Sequence, residues 1–170
     1  MYSTSNSRRY VKNRLYWGVV MIKVIEYFKE ENKEYCLSKI KECDWGAGKF
    51  LSELIQKNEL TKLLGQNTKL LLLVNELELI SFCTFSDIDD IETTVLTPWI
   101  GFVYTFPKYR GNRYMGKLIS YAEELAKTNG FSNIYISTNQ EGLYEKYGFS
   151  FLKCMKDRNG EDSRVYTKIL

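Results

Sequence analysis

The sequence predicts a single-domain α/β fold in which helices pack on a β-sheet. A chain of 170 residues is the size of one domain, and its 44% hydrophobic content, with 15% aromatic residues, is enough for one core. Segments with apolar residues at helical spacing alternate with short apolar runs that are typical of buried strands. In chain order the predicted elements are β-α-α-β-β-β-α-β-α-β-β.

The first 20 residues are predicted to be a flexible extension that precedes a domain spanning residues 21–170. The extension contains four basic residues and no acidic residue. The apolar run Leu15–Ile22 is short, Lys23 interrupts it, and no small-residue cleavage site follows it. We therefore expect neither a secretory signal nor a membrane span.

Charge and cysteine content exclude several classes of function. The net charge is +3, and without the four basic residues of the extension 20 basic residues stand against 21 acidic ones, so nothing indicates a nucleic-acid partner. The absence of histidine excludes Ser-His-Asp and Cys-His catalysis, and a common zinc site is not expected. Cys36, Cys43, Cys83 and Cys154 lack C-x-x-C spacing and are predicted to be reduced packing residues of a cytoplasmic protein.

A strand, two helical regions and a hairpin are predicted in the first half of the domain. The helical regions have one apolar face and are separated by Cys43–Phe50, where two glycines indicate a loop that could move over a substrate. Asn75 and Glu76 indicate the turn of the hairpin. The predicted elements are strand Met21–Phe28, helix Glu30–Glu42, a helical region over Phe50–Leu64 with a break near Asn58, and strands Lys69–Val74 and Leu77–Phe85.

The second half is predicted to contain one long helix between two strands, followed by a short helix and a hairpin. Gly130 stands where the long helix is expected to end, and Asn159 and Gly160 indicate the last turn. The predicted elements are an acidic loop Asp87–Glu92, a strand from Trp99 to Phe106, helix Tyr114–Asn129, strand Asn133–Ile136, a short helix over Leu143–Tyr147, and strands Phe151–Met155 and Arg164–Ile169.

The segment WIGFVYTFPKYRGNRYMG, Trp99–Gly116, is the most informative part of the chain. An apolar strand ends at Pro107 in a basic turn that leads directly into a helix. The first N–H groups of a helix lack intrahelical partners and its dipole is positive there, while Gly111 lets the backbone approach a ligand. This turn is predicted to bind pyrophosphate. An ordinary solvated β–α connection is the alternative.

Two segments, PKYRGNRYMGKLI (Pro107–Ile119) and GLYEKYGF (Gly142–Phe149), together resemble the GNAT superfamily of acyl-CoA-dependent N-acetyltransferases. In that family the pattern Q/R-x-x-G-x-G/A cradles the pyrophosphate of coenzyme A. Arg110 matches its first position. Arg113 and Met115 occupy its two glycine positions, and Gly116 follows one residue late.

The resemblance implies a mixed sheet whose two central parallel strands splay apart to admit acetyl-CoA as cosubstrate, with no metal. It implies that extended backbone of the strand pairs with pantetheine and that the turn and the helix start hold the phosphates. It also implies that Tyr144 is the general acid beside the thioester sulfur, although LYEKYGF could instead be a packing helix. The implied cosubstrate-binding residues are Val103, Tyr104, Thr105, Arg110, Gly111, Asn112, Arg113, Tyr114, Met115 and Gly116.

The general base and the acceptor site are not assigned by the resemblance. Many relatives carry a glutamate on the strand before the turn, but the strand from Trp99 to Phe106 has no acidic residue. An acid of the Asp87–Glu92 loop could act through water or attract a cationic amine, or the amine could arrive deprotonated. Trp45 and Trp99 are candidates for the acceptor pocket, with core packing as the alternative for Trp99.

These observations predict an enzyme that transfers an acetyl group from acetyl-CoA to a primary amine of a small molecule or protein by direct attack in a ternary complex. A catalytically silent acyl-CoA-binding or sensor module is the alternative, since the glycine motif is altered and the strand glutamate is missing. A homodimer paired through the C-terminal hairpin is possible.

Overall fold

The computed structural model describes residues 21–31, 33–75, 78–91 and 93–170. These residues form one seven-stranded sheet in the order β1-β2-β3-β4-β5-β7-β6, in which β4 and β5 are parallel and all other neighbours are antiparallel. The predicted extension, Asn32 of the first predicted helix, Glu76 and Leu77 at the predicted hairpin turn, and Glu92 of the acidic loop lie outside the described residues. The strands are β1 (Lys23–Glu26), β2 (Lys69–Val74), β3 (Leu79–Ser86), β4 (Trp99–Thr105), β5 (Asn133–Ser137), β6 (Ser150–Lys156) and β7 (Asp162–Ile169).

Helices cover both faces of the sheet. Side chains of β2 alternate between the faces: Leu70 and Leu72 pack with α1, α2 and α3, whereas Leu71 and Leu73 pack with α4. Because β2 is buried on both faces, its sequence is a continuous apolar run. The helices are α1 (Lys33–Glu42), α2 (Gly46–Gln56), α3 (Leu60–Leu64) and α4 (Tyr114–Thr128), and short 3-10 turns occur at Tyr27–Lys29, Pro107–Tyr109 and Tyr144–Tyr147.

The prediction of a flexible loop over Cys43–Phe50 is wrong, because α2 begins at Gly46 and both glycines lie in its first turn. Gly48 is required by close packing of the start of α2 against Cys43 and Phe82. A Cβ at this position would lie 2.5 Å from Cys43 Sγ and 3.3 Å from the Phe82 ring. The predicted strands and helices otherwise occur with ends shifted by a few residues, and the break near Asn58 separates α2 from α3.

The parallel pair β4–β5 is short and opens at one end. The two strands pair at Trp99 with Tyr135 and at Ile100 with Ile136, and no further pair joins them among the described residues. A β-bulge follows in β4, where Phe102 has a φ of +48° and the register with β3 shifts. The mixed sheet with splayed central strands, expected from the resemblance, is therefore confirmed.

Strand β6 forms one edge of the sheet and is mostly exposed, including Phe151 (46%) and Leu152 (41%). It belongs to the hairpin at which a homodimer would pair, and the dimer stays a prediction. No helix in the described part of the chain is long and apolar enough to cross a membrane.

Candidate functional site

A cleft of about 1020 Å³ lies where β4 and β5 separate. Its walls come from β4, the start of α4, the end of β5, the 3-10 turn Tyr144–Tyr147, the start of α2 and the loop between β3 and β4. An extended ligand can therefore lie along β4 and reach the N-terminus of α4. The lining includes Asp44, Trp45, Asp89, Asp90, Gly101, Val103, Tyr104, Thr105, Arg110, Gly111, Arg113, Tyr114, Met115, Ile136, Tyr144 and Tyr147.

The N-terminus of α4 is suited to binding an anion. Its N-cap residue Arg113 has φ 56° and ψ 25°, in the left-handed region, and no side-chain hydrogen bond caps this end among the described residues. The first N–H groups of a helix lack intrahelical acceptors and carry partial positive charge. Arg113 thus adopts the conformation that favours glycine, at the position where the family pattern has glycine.

The turn before α4 is held in place by local hydrogen bonds. Asn112 Nδ2 donates to the carbonyl oxygens of Tyr109 (3.1 Å) and Arg110 (3.3 Å), and the Tyr109 hydroxyl donates to Glu78. Gly111 has φ +82° and faces open space where a side chain would be. The turn therefore presents backbone to the cleft in a fixed shape, while Asn112 itself lies outside the cleft lining.

The Arg110 side chain is directed back toward β4 and the start of α2. Its Nε donates to the Thr105 carbonyl oxygen (3.0 Å), its Nη2 lies 3.8 Å from Asp44 Oδ1, and its guanidinium lies 5.5 Å from the centre of the Tyr104 ring. These contacts fix the end of β4 against the turn. Arg113 lies at the helix start and is exposed there.

An aromatic wall borders the cleft on the side of α2. The Trp45 and Tyr104 rings are stacked, with centroids 5.7 Å apart and planes inclined by 6°. The Tyr104 hydroxyl donates to Asp44, and burial, followed by this contact, raises the pKa of Tyr104 to about 12. This wall combines flat apolar surface with a carboxylate.

Tyr144 lies at the start of its 3-10 turn and reaches the cleft from the side of α4. It is 6% exposed, and its ring packs edge-on against Phe149 at 6.2 Å. Burial raises the pKa of Tyr144, and electrostatic interaction with the neighbouring Cys83 and Asp89 raises it further. The hydroxyl therefore stays protonated at neutral pH and can donate a hydrogen bond. Tyr144 thus packs in the core and also lines the cleft, and its role as general acid stays a prediction.

The turn that carries Tyr144 is fixed by β7 and α4. Lys168 Nζ donates to the Tyr147 carbonyl oxygen (2.9 Å) and to Glu123 Oε1 (2.6 Å). Gly116 admits the Tyr147 ring, because a Cβ at Gly116 would lie 2.9 Å from Tyr147 Cε1. Gly116 thus packs the turn against α4 and is not part of the cleft lining.

Asp89, one of the acids in the predicted Asp87–Glu92 loop, lies beside β4, and its closeness to Gly101 was not predicted. The residue is 8% exposed, and its Oδ1 lies 2.7 Å from the point where a Cβ on Gly101 would be. Burial, and secondarily the charge of Asp90, raises the pKa of Asp89 to about 8. A glycine within an apolar strand indicates close approach of another group, and this was the signal available in the sequence.

Trp99 lies outside the cleft lining. It is fully buried against Ile91, Val165 and Tyr135, and its Nε1 donates to the Leu96 carbonyl oxygen at 2.7 Å. The structure therefore brings together Trp45, most of the predicted turn, backbone of β4 and Tyr144, but not Trp99. Among the described residues no group of three or more Cys, Asp or Glu side chains could hold a metal ion.

The helix N-terminus with its basic residues is suited to a phosphate group, and it lies at the opening of the parallel strand pair, as in proteins that bind phosphate-bearing ligands. The acetyltransferase (GNAT) family matches residues 30–149. The chain belongs to this family and is an acyltransferase.

Solved structures of acetyltransferases share the fold. A Streptococcus agalactiae acetyltransferase is 20% identical, with a TM-score of 0.60 over 88% of this chain and 98% of that one. An acetyltransferase from Salmonella typhimurium that modifies the N-terminal serine of ribosomal protein L7/L12 is 15% identical, with a TM-score of 0.62 over 88% and 95%. A GNAT acetyltransferase from Elizabethkingia anophelis with acetyl-CoA bound is 17% identical, with a TM-score of 0.58 over 88% and 98%. A search of curated proteins found no match.

Proposed function

We propose that this protein transfers the acetyl group of acetyl-CoA to a primary amine by direct attack in a ternary complex. The observation that carries the proposal is the cleft between β4 and β5, which runs from the buried Tyr144 to the basic N-terminus of α4. Its volume of about 1020 Å³ suits an extended ligand. The related protein from Elizabethkingia anophelis, which has acetyl-CoA bound, supports acetyl-CoA as the donor.

In this proposal the pyrophosphate binds at the N-terminus of α4. Backbone N–H groups of Tyr114 and Met115 donate to the phosphate oxygens, the open backbone at Gly111 allows close contact, and the Arg113 side chain adds charge. Arg110 and Asn112 fix the turn from behind, through the hydrogen bonds to Thr105 and Tyr109. Arg110, which matches the first position of the family pattern, therefore contributes mainly by positioning the end of β4.

The pantetheine arm then lies along β4 in the space that β5 leaves. Extended backbone of Val103, Tyr104 and Thr105 pairs with its amide groups in the manner of an added strand. The bulge at Phe102 turns this part of β4 away from the partner strand, which supports the arrangement. The thioester is thereby held near Tyr144, and orientation supplies much of the rate.

Tyr144 is the general acid for the departing sulfur. Its raised pKa keeps the hydroxyl protonated, so that it donates a hydrogen bond to sulfur as the C–S bond weakens. The acceptor amine enters from the side of Trp45, Tyr104 and Asp44, where flat rings and a carboxylate suit a cationic amine with an apolar stem. A cytoplasmic location is part of the proposal, and the four unpaired cysteines agree with it.

Thermal shift with coenzyme A, acetyl-CoA and ATP tests donor binding, and thiol release with a panel of primary amines tests transfer. At a ligand concentration of 100 Kd, binding adds about 2.7 kcal/mol to the free energy of unfolding, so stabilisation by coenzyme A but not by ATP is expected. Thiol release that requires an amine identifies the enzyme. Stabilisation by coenzyme A without thiol release from acetyl-CoA in the presence of any amine would favour the silent binding module instead.

A further inference from the structure

We propose that Asp89 is the catalytic base, which accepts a proton from the ammonium group of the acceptor directly or through one water molecule. This inference rests on the acyl transfer proposed above. It supplies from the β3–β4 loop the carboxylate that β4 itself lacks.

The position of Asp89 is the first argument. Its Oδ1 lies within 2.7 Å of the missing Cβ of Gly101, so the carboxyl group occupies the space that a side chain of β4 would fill. Gly101 is the next residue after the last β4–β5 pair, at the mouth of the splay. Thr84 Oγ1 lies 3.1 Å from the same point and is buried without a hydrogen-bond partner among the described residues. An oxygen pair of this kind can orient a water molecule.

Comparison with the other acids around the cleft is the second argument. Asp90 is exposed, and its Oδ1 accepts a hydrogen bond from Ser137 Oγ at 2.9 Å. Asp44 is exposed and is engaged by the Tyr104 hydroxyl and by Arg110. Among the acids that line the cleft in the described part of the chain, Asp89 alone is buried.

The loop holds Asp89 rigidly. Arg158 Nη2 donates to the carbonyl oxygens of Asp89 (2.8 Å) and Leu63 (3.0 Å), and the Arg158 backbone N–H donates to the Asp90 carbonyl oxygen (2.8 Å). A base that is fixed by supporting contacts does not need to be oriented during the reaction. Arg158 contacts only the backbone oxygen of Asp89, so the carboxyl group, which accepts a hydrogen bond from the Asp90 backbone N–H, still lines the cleft.

The electrostatic setting suits proton exchange near neutral pH. The charged and titratable groups around Asp89 are Asp90 in the same loop, Arg158 in the turn after β6, and Tyr144 across the cleft. Burial, aided by the charge of Asp90, raises the pKa of Asp89 to about 8, while a hydrogen bond from the Asp90 backbone N–H and, less strongly, the charge of Arg158 oppose the rise. A catalytic base is most effective when its pKa lies near the working pH.

The proton transfers balance. Ionised Asp89 takes one proton from the ammonium group and later releases it to water. The neutral nitrogen forms the C–N bond as the C–S bond breaks. The Tyr144 hydroxyl gives its proton to sulfur and regains one from the nitrogen, which leaves a neutral amide and a thiol.

The test compares Asp89→Asn and Gly101→Ala with the wild type, using the best alkylamine acceptor of the panel and aniline. Asp89→Asn keeps the shape and removes the base, and a Cβ at Gly101 displaces the carboxyl group. We expect kcat/KM for the alkylamine at pH 7 to fall about 100-fold or more in Asp89→Asn. In Gly101→Ala the same kcat/KM should also fall below the wild-type value. Aniline is neutral at pH 7, and its rate should fall much less.

The pH profile separates a base from a merely structural residue. In the wild type, kcat/KM for the alkylamine should rise with pH through about 8, the pKa of Asp89. In Asp89→Asn the rise should move to the pKa of the amine itself. The matched control is Asp87→Asn in the same loop, whose carboxylate accepts hydrogen bonds from Asn67 outside the cleft lining and whose profile should match the wild type.

Unchanged rates and profile in folded Asp89→Asn would overturn the inference. Calorimetry with acetyl-CoA on the same proteins distinguishes failure of this inference from failure of the proposed function. If the wild type does not bind acetyl-CoA, the proposed acyl transfer is wrong. If the wild type binds and turns over but Asp89→Asn has no effect, only the assignment of Asp89 as the base is wrong. If no amine reacts, the inference is tested by a pH titration of the ¹³C-labelled aspartate carboxyl groups, followed by NMR in the acetyl-CoA complex. A carboxyl that titrates between about pH 7 and 9 and is missing in Asp89→Asn supports the inference, and its absence overturns it.

Discussion

Asp89→Asn should change how the stability of the protein depends on pH. A buried carboxyl group whose pKa is higher in the folded state than in the unfolded chain favours folding when it is protonated. For Asp89 the ordinary value is 3.8 and the folded value is about 8. Its stabilising contribution is therefore complete below about pH 4, declines as the pH rises, and is lost above about pH 8.

The size of the effect follows from the shift. One pKa unit corresponds to 1.36 kcal/mol, so a shift of about four units costs the wild type up to about 5 kcal/mol of unfolding free energy between pH 4 and pH 8. Asparagine is neutral throughout this range. The free energy of unfolding of Asp89→Asn minus that of the wild type should thus be smallest at pH 5 and should grow by several kcal/mol by pH 9.

Urea unfolding at half-unit steps from pH 5 to pH 9 measures this difference. Asp87→Asn is the control for the loss of a loop carboxylate, because Asp87 is partly exposed and pairs with Asn67. Its stability curve should run parallel to that of the wild type. Parallel curves for Asp89→Asn as well would show that Asp89 ionises normally, and the reasoning from its burial would be refuted.

Three further predictions concern other parts of the site. Tyr144→Phe should lower turnover at least 10-fold and leave acetyl-CoA affinity within about threefold, because only the hydroxyl is lost; unchanged turnover would remove it from the mechanism. Arg113→Gly should raise the free energy of unfolding by about 1 kcal/mol, seen as a higher urea midpoint, since the left-handed φ of 56° is relieved, yet weaken acetyl-CoA binding through loss of charge; a lower midpoint would contradict this. Removal of residues 1–18 should leave the melting temperature and activity nearly unchanged, and a large loss of either would show that the extension belongs to the domain.

Much of the fold could be predicted because local patterns and burial agree. The run Lys69–Val74 is a strand buried on both faces, and the apolar stripe of α4 ends where Gly130 follows. The loop predicted over Cys43–Phe50 failed because glycine can serve packing as well as flexibility. The need for a glycine at Gly48 comes from Cys43 Sγ and Phe82, and the latter lies in a distant strand.

The site could be predicted only in part, because its chemistry depends on contacts across the sheet. The turn at Gly111–Arg113 was recognisable from its own residues. The proximity of Asp89 to Gly101 was not, since 12 positions and an irregular loop separate them. The direction of the Arg110 side chain likewise depends on Asp44, which lies before α2.

Isothermal titration calorimetry with acetyl-CoA tests the central claim most directly. If the cleft between β4 and β5 holds the donor, titration of the purified protein should release or absorb heat with a one-to-one stoichiometry. The dissociation constant should lie in the micromolar range, which corresponds to a binding free energy on the order of −8 kcal/mol. ATP at the same concentration should give no comparable signal. No heat of binding with acetyl-CoA at millimolar concentration would contradict the account.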